Sequence, residues 1–224
     1  MAKNATHIGV IILLGLALLV PGTATMPLVD RDEPRFAQAT VEMIERPDWI
    51  VPYFNGEYRF DKPVLTYWLM RLGYAVFGIN EFGARVHSII CSILIGLAVF
   101  WAGRRWFTTA VGFGAAVGLL TCLQFILNGR SCIADMPMVL AVTVAQICLF
   151  ELLAGSDDNP HYGWMITLYV ALGLGFLFVE IPLAQRFILL VGRPVTALTV
   201  VLFALLLFSG VGSFLSPRLP LPYV

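Results

Sequence analysis

The sequence predicts an all-α, polytopic membrane protein of about six transmembrane helices, with an extracytoplasmic first loop that carries amphipathic juxtamembrane helices. Three observations predict it. Of 224 residues, 59% are apolar and only 12% are charged, whereas a soluble domain carries roughly 25% charged residues. Mean hydropathy is +0.85. Apolar runs of the length a helix needs to cross a bilayer, about 20 residues, recur along the chain. The formal net charge of zero leaves no basic surplus to neutralise phosphates and so excludes a nucleic-acid partner.

The first span runs from about Ala5 to Thr25. One lysine, an apolar run and the small residues "GTAT" resemble a secretion signal, but further spans follow, which favours a retained helix. Lys3 then places the N-terminus in the cytoplasm, and the first span delivers residues 26–63 to the outside. That loop holds five basic and eight acidic residues; five Lys or Arg outside run against the positive-inside preference. Within it, "DEPRFAQATVEMIER" predicts a helix: an acidic pair at the positive end of the dipole, Pro34 in the first turn, then apolar Phe36, Ala39, Val41, Met43 and Ile44. Helix capping alone accounts for Asp32 and Glu33, so their chemistry has to be argued on other grounds. The following "RPDWIVPYFNGEYRFDKP" is rich in aromatics suited to the headgroup layer, and its Asn-Gly predicts a hairpin turn.

Residues 64–78 are short for a span and carry Arg71 at their centre, which predicts an interfacial or re-entrant helix. Clear spans follow at 83–103, 107–127 and 134–155, with two more at about 162–180 and 194–214. If 64–78 stays outside, Arg104 and Arg105 fall inside, where the rule prefers them. Gly114 and Gly118 form a GxxxG pair suited to close helix packing. His87, on an apolar span, is expected to be satisfied by a neighbour. The four cysteines show no CxxC pair and read as small packing residues. Glu180, Gln185 and Arg186 read as an interfacial break near Pro182.

This topology brings Asp32, Glu33, Asp61, Lys62, Arg130 and Asp135 to one face of the membrane. Interfacial charges of this kind either anchor helix ends or mark function. A carboxylate can take a proton from a nucleophile, and a cation can stabilise a developing anion. Lys62 and Arg130 are cations of that kind, and an apolar groove would take a lipid tail.

The ordered motif of acidic pair, "EM", "DW", "VP", "NG" and "DKP…YW" in residues 31–86, followed by "GRSCIADMPM" at 129–138, resembles the bacterial aminoarabinose-transferase and protein-mannosyltransferase superfamily, membrane glycosyltransferases of the GT-C fold. The resemblance covers roughly residues 8–177. It implies an integral protein of the bacterial inner membrane that moves a sugar from a polyprenyl-phosphate donor to a lipid or protein acceptor. By the same resemblance Asp32 and Glu33 are the catalytic pair, and Lys62, Arg130 and Asp135 handle the donor. Asp61, where the family usually has Glu, matches a position implicated in divalent-metal binding or donor handling. The partners implied are membrane lipids and the polyprenyl-phosphate-linked sugar.

Two departures stand out. The family's "KPP" is Lys62-Pro63-Val64 here. Beyond "ALGLGFL" the chain lacks the family's "TKGP", and residues 171–213 resemble instead the membrane region of spermidine-synthase-like proteins. The expected division is a GT-C-like domain over 1–177 and a membrane tail over 178–224, as of a transferase stopping about halfway. The alternative expectation is a non-catalytic subunit that packs with other membrane proteins in a larger complex.

Overall fold

A computed structural model describes residues 2–29, 32–47, 49–59, 62–154 and 162–175, with Thr199, Val200, Phe203 and Leu207 beyond them. The division at residue 177, the break near Pro182 and nearly all of the 194–214 segment lie outside the described residues.

Helix α1 covers Ala2–Leu19 and is shorter than the expected span to Thr25. Val20 precedes Pro21, a position that disfavours helical backbone, and Gly22 turns the chain at φ +80°. Helix α2 covers Glu33–Glu45 with Pro34 in its first turn, and buries Phe36, Ala37, Thr40 and Met43 on one face. The hairpin forms as expected. Strands β1 (Tyr53–Phe54) and β2 (Glu57–Tyr58) pair Tyr53 with Tyr58 and Phe54 with Glu57. Asn55 and Gly56 both adopt positive φ, the turn that matches strand twist. The Glu42 carboxylate of α2 accepts the N–H groups of Asn55 at 2.8 Å and Gly56 at 3.1 Å, fixing the turn to the helix.

Helix α3 covers Val64–Phe77, 14 residues or about 21 Å, too short for a hydrocarbon core about 30 Å thick. Arg71 at its middle lies 3.7 Å from the Trp49 ring centre and donates to the Met43 carbonyl, so the loop layer holds the charge. The apolar side chains Leu72 and Val76 remain exposed.

Helix α4, Glu81–Trp106, is the central span, and Asn80 caps it by accepting the Gly83 N–H at 2.8 Å. Helix α5 covers Thr109–Thr121, capped by Thr108, and α6 covers Leu123–Gly129. The expected single span over 107–127 is therefore broken: α5 and α6 are bent by 67°. Neither Pro nor Gly sits at the break. The Thr121 hydroxyl donates back to the Val117 carbonyl at 2.9 Å, a bond that bends helices, and Cys122 is extended. The close approach of α4 and α5 also lies elsewhere than expected. A side chain on Gly112 would meet the Phe100 carbonyl at 2.5 Å, while Gly114 and Gly118 face open space among the described residues.

Helix α7, Asp135–Ala154, follows, then α8, Tyr162–Gly175. Helices α4 and α7 are each long and apolar enough to cross a membrane, and the bent α5–α6 pair makes a third crossing if counted as one. Contacts set the directions. Gly15 meets Ile93, and His7 meets Phe100, so α1 runs antiparallel to α4. His87 approaches the Ile133 carbonyl and Arg105 approaches Glu151, so α4 and α7 run parallel. The end of α1, the start of α4 and the start of α7 thus gather at one end, under α2 and α3.

Candidate active site

The site is organised by Arg85, in the second turn of α4 and 3% exposed. A guanidinium has five N–H donors, and each has an acceptor here. Nε donates to Glu33 Oε1 at 3.1 Å, and one Nη donates to the Thr23 and Met26 carbonyls at 2.9 and 2.8 Å. The other Nη donates to the Pro27 carbonyl and Glu33 Oε2, both at 2.9 Å. The carboxylate is equally occupied. Cys132 N–H donates to Oε1 at 2.8 Å and Val29 N–H to Oε2 at 2.8 Å. Residues 23–29, the start of α2, α4 and the loop before α7 are thereby tied at one point.

Burial alone would push the Glu33 carboxyl up; the Arg85 guanidinium and the N–H groups of Cys132 and Val29 outweigh it and hold the carboxyl below its ordinary value. Burial, and then the Glu33 carboxylate, push the Cys132 thiol up. It stays protonated, with Sγ 3.6 Å from the Glu33 carbonyl.

Asp32, Glu33, Arg130 and Asp135, singled out from sequence, belong to or adjoin the segments this network ties. Asp32 is exposed at the N-cap of α2 and makes no side-chain bond to that helix. Glu33 is buried in the network, with no acceptor site left over. Lys62 is half-buried just before α3. Arg59 brings this segment to α2: its guanidinium lies 5.7 Å from the Phe36 ring centre, and its Nε donates to the Tyr67 hydroxyl at 3.1 Å. Arg130 closes α6, and one of its nitrogens donates to the Pro21 carbonyl. Asp135, half-buried, opens α7. Asp32, Arg130 and Asp135 thus stand within three residues of the Glu33–Cys132 bond; Asp61 lies outside the described residues.

Among the described residues no three metal-ligating side chains gather. The Glu33 oxygens are filled by cationic and neutral donors, and the orphaned buried side-chain oxygen, Thr66 Oγ1, is a neutral hydroxyl. No divalent-metal site is shown among the described residues, and Asp61 lies outside them.

Arg85 was not singled out in the sequence. The available signal was its place: an arginine one turn inside an apolar run requires partners. His87, two residues on, is satisfied as expected, at 2.8 Å from the Ala84 carbonyl.

Below the polar cluster an apolar groove of about 610 Å³ runs between α3, α4, α7 and α8, lined by Leu65, Leu69, Ile90, Leu94, Leu140 and Val170 among others. Its upper lining includes Leu65, three residues after Lys62, and Pro137, two after Asp135.

Comparison with known proteins agrees with this architecture. A protein of Pseudomonas aeruginosa (strain UCBPP-PA14), named undecaprenyl phosphate-alpha-4-amino-4-deoxy-L-arabinose arabinosyl transferase, is 36% identical over 181 residues, 79% of this chain and 32% of its own length. The protein of the same name from Erwinia tasmaniensis is 35% identical over 158 residues, 67% of this chain and 28% of its own length. The chain spans about a third of the length of these relatives. The crystal structure of ArnT from Cupriavidus metallidurans bound to undecaprenyl phosphate superposes with a TM-score of 0.68 at 22% identity, covering 98% of this chain and 43% of ArnT. That likeness shows a shared fold. The family model described as dolichyl-phosphate-mannose-protein mannosyltransferase matches residues 61–214, most of the chain and most of its tail. The chain belongs to that family.

Proposed function

We propose that this chain forms the donor-handling part of a glycosyltransferase that moves a sugar from a polyprenyl-phosphate donor to a lipid or protein acceptor, on the extracytoplasmic face of the bacterial inner membrane. The observation that carries the reading is the apolar groove whose upper lining follows directly on Lys62 and Asp135. A polyprenyl tail is long, branched and wholly apolar, and suits a groove lined almost entirely by hydrocarbon. Undecaprenyl phosphate, named for the relatives and for the solved structure, is the donor lipid this reading takes. Its phosphate sits at the groove mouth, met by Lys62 as a point charge and by the forked Arg130.

The acceptor hydroxyl attacks the anomeric carbon while Asp32, the exposed carboxylate, takes its proton. The bond from that carbon to the phosphate oxygen breaks, and polyprenyl phosphate leaves with the electron pair, its charge neutralised by Lys62 and Arg130. Asp135 orients the donor sugar. Glu33, with every acceptor site occupied, acts as a positioning residue that sets the backbone from which Asp32 projects.

The test is sugar transfer from an undecaprenyl-phosphate-linked aminosugar in membranes carrying the protein. Asp32→Asn should lower the rate by about 10²–10⁴-fold, the usual contribution of a general base, with protein levels unchanged. A rate within a factor of two or so of the parent removes Asp32 from the chemistry.

A further inference from the structure

At the opposite end of α4 a second recess, of about 470 Å³, is lined by Trp101, Arg105, Trp106, Phe150, Glu151 and Trp164. Three helices supply its walls. Trp101 of α4 meets Trp164 of α8 with ring centres 5.6 Å apart, and Trp106 of α4 meets Phe150 of α7 at 4.2 Å. Aromatic residues are common at membrane interfaces, but residues of a simple belt need not converge, and these enclose a carboxylate. Glu151 is only 11% exposed at its side chain, and Trp106 Nε1 donates to its Oε1 at 2.9 Å. Its cationic partner is remote by comparison: Arg105 Nε lies 3.5 Å away, and the Arg105 side chain is 63% exposed.

The recess therefore has an acid set among aromatic side chains, held by an indole N–H, and an arginine at its rim turned to solvent. Aromatic rings and a carboxylate both attract an organic cation, and the Arg105 guanidinium at the rim suits a phosphate. The spacing of charge, negative within and positive outside, complements a zwitterion entering ammonium first. We propose that this recess binds the headgroup of an ethanolamine phospholipid, its primary ammonium against Glu151 and the tryptophans and its phosphate against Arg105. The ammonium donates to the Glu151 oxygen, a bond that a trimethylated nitrogen has no hydrogen to make. This site is separate from the donor groove, and its occupancy does not depend on the transferase reading.

The experiment is native mass spectrometry of the whole protein released from nanodiscs of phosphatidylglycerol mixed equally with phosphatidylethanolamine or with phosphatidylcholine. Phosphatidylethanolamine should be retained over phosphatidylglycerol by roughly tenfold, the scale of one charge-assisted contact. Glu151→Gln keeps an oxygen for the Trp106 N–H and removes the charge; it should erase the preference without changing the circular dichroism. Trp164→Leu, on a different helix, should weaken it as well. Equal retention of phosphatidylcholine, no preference in the parent protein, or a preference that survives in Glu151→Gln would each overturn the assignment. Retention of no lipid, as when another polypeptide segment fills the recess, overturns it too.

Discussion

Two acid–arginine pairs sit near opposite ends of α4, and they are unlike in every respect but composition. Arg85 and Glu33 meet at 2.9 Å with side chains 4% and 5% exposed, and neither has an unused hydrogen-bonding position. Arg105 and Glu151 meet at 3.5 Å, with the arginine 63% exposed. The first pair joins segments 52 residues apart and draws in three carbonyls and two further N–H groups. The second joins only the last turns of two helices. Buried, fully bonded charges are costly to disturb because removing one leaves the other stranded, whereas an exposed pair is screened and contributes little. The same two residue types thus serve as a structural clamp at one end and as an adaptable surface at the other.

The comparison can be broken by substitution. Arg85→Ala strands Glu33 and three carbonyls, and should destabilise the protein by about 3–5 kcal/mol; the check is thermal unfolding in detergent together with the amount accumulating in membranes. A loss below about 1 kcal/mol would put the two pairs in the same class. The pH dependence sharpens the contrast by a smaller amount. The folded-state carboxyl of Glu33 lies below its ordinary value, so its contribution is fully present above the unfolded carboxylate range and disappears as pH falls through the folded value. Melting temperature should therefore drop as pH is lowered below about 4, and Glu33→Gln should flatten that part of the profile. The smallest effect belongs to Arg105→Ala, expected to cost under about 1 kcal/mol in the same melts.

Much of the fold could be read from residue order. Pro34 behind an acidic pair marks α2, Asn55-Gly56 marks the hairpin, and the 14 residues of α3 around Arg71 mark a helix too short to cross. These signals are local. The end of α1 was legible too, since Pro21-Gly22 stops a helix, although the expected span ran on to Thr25. The break at Cys122 was not legible, because no proline or glycine marks it. For the site, the cluster of charges was visible but not its division of labour. Whether Asp32 or its neighbour is buried depends on which side of one helical turn faces Arg85, and Arg85 lies 52 residues further on. No periodicity records a pairing of that separation. The Cys132 contact was still less accessible, since it is made by a backbone N–H that any residue supplies.

The span of sequence held by the Glu33 carboxylate also sets an order of events during synthesis. Its last partner, Cys132, follows it by 99 residues, which at ribosomal speeds of roughly 5–20 residues per second takes about 5–20 seconds. Over that interval Glu33 lacks the Cys132 N–H, and Arg85, 52 residues on, is synthesised before it. The lip of the groove is therefore completed by the chain that follows it, and a nascent protein arrested before residue 132 would carry every charged residue of the first loop without the lock that fixes their positions.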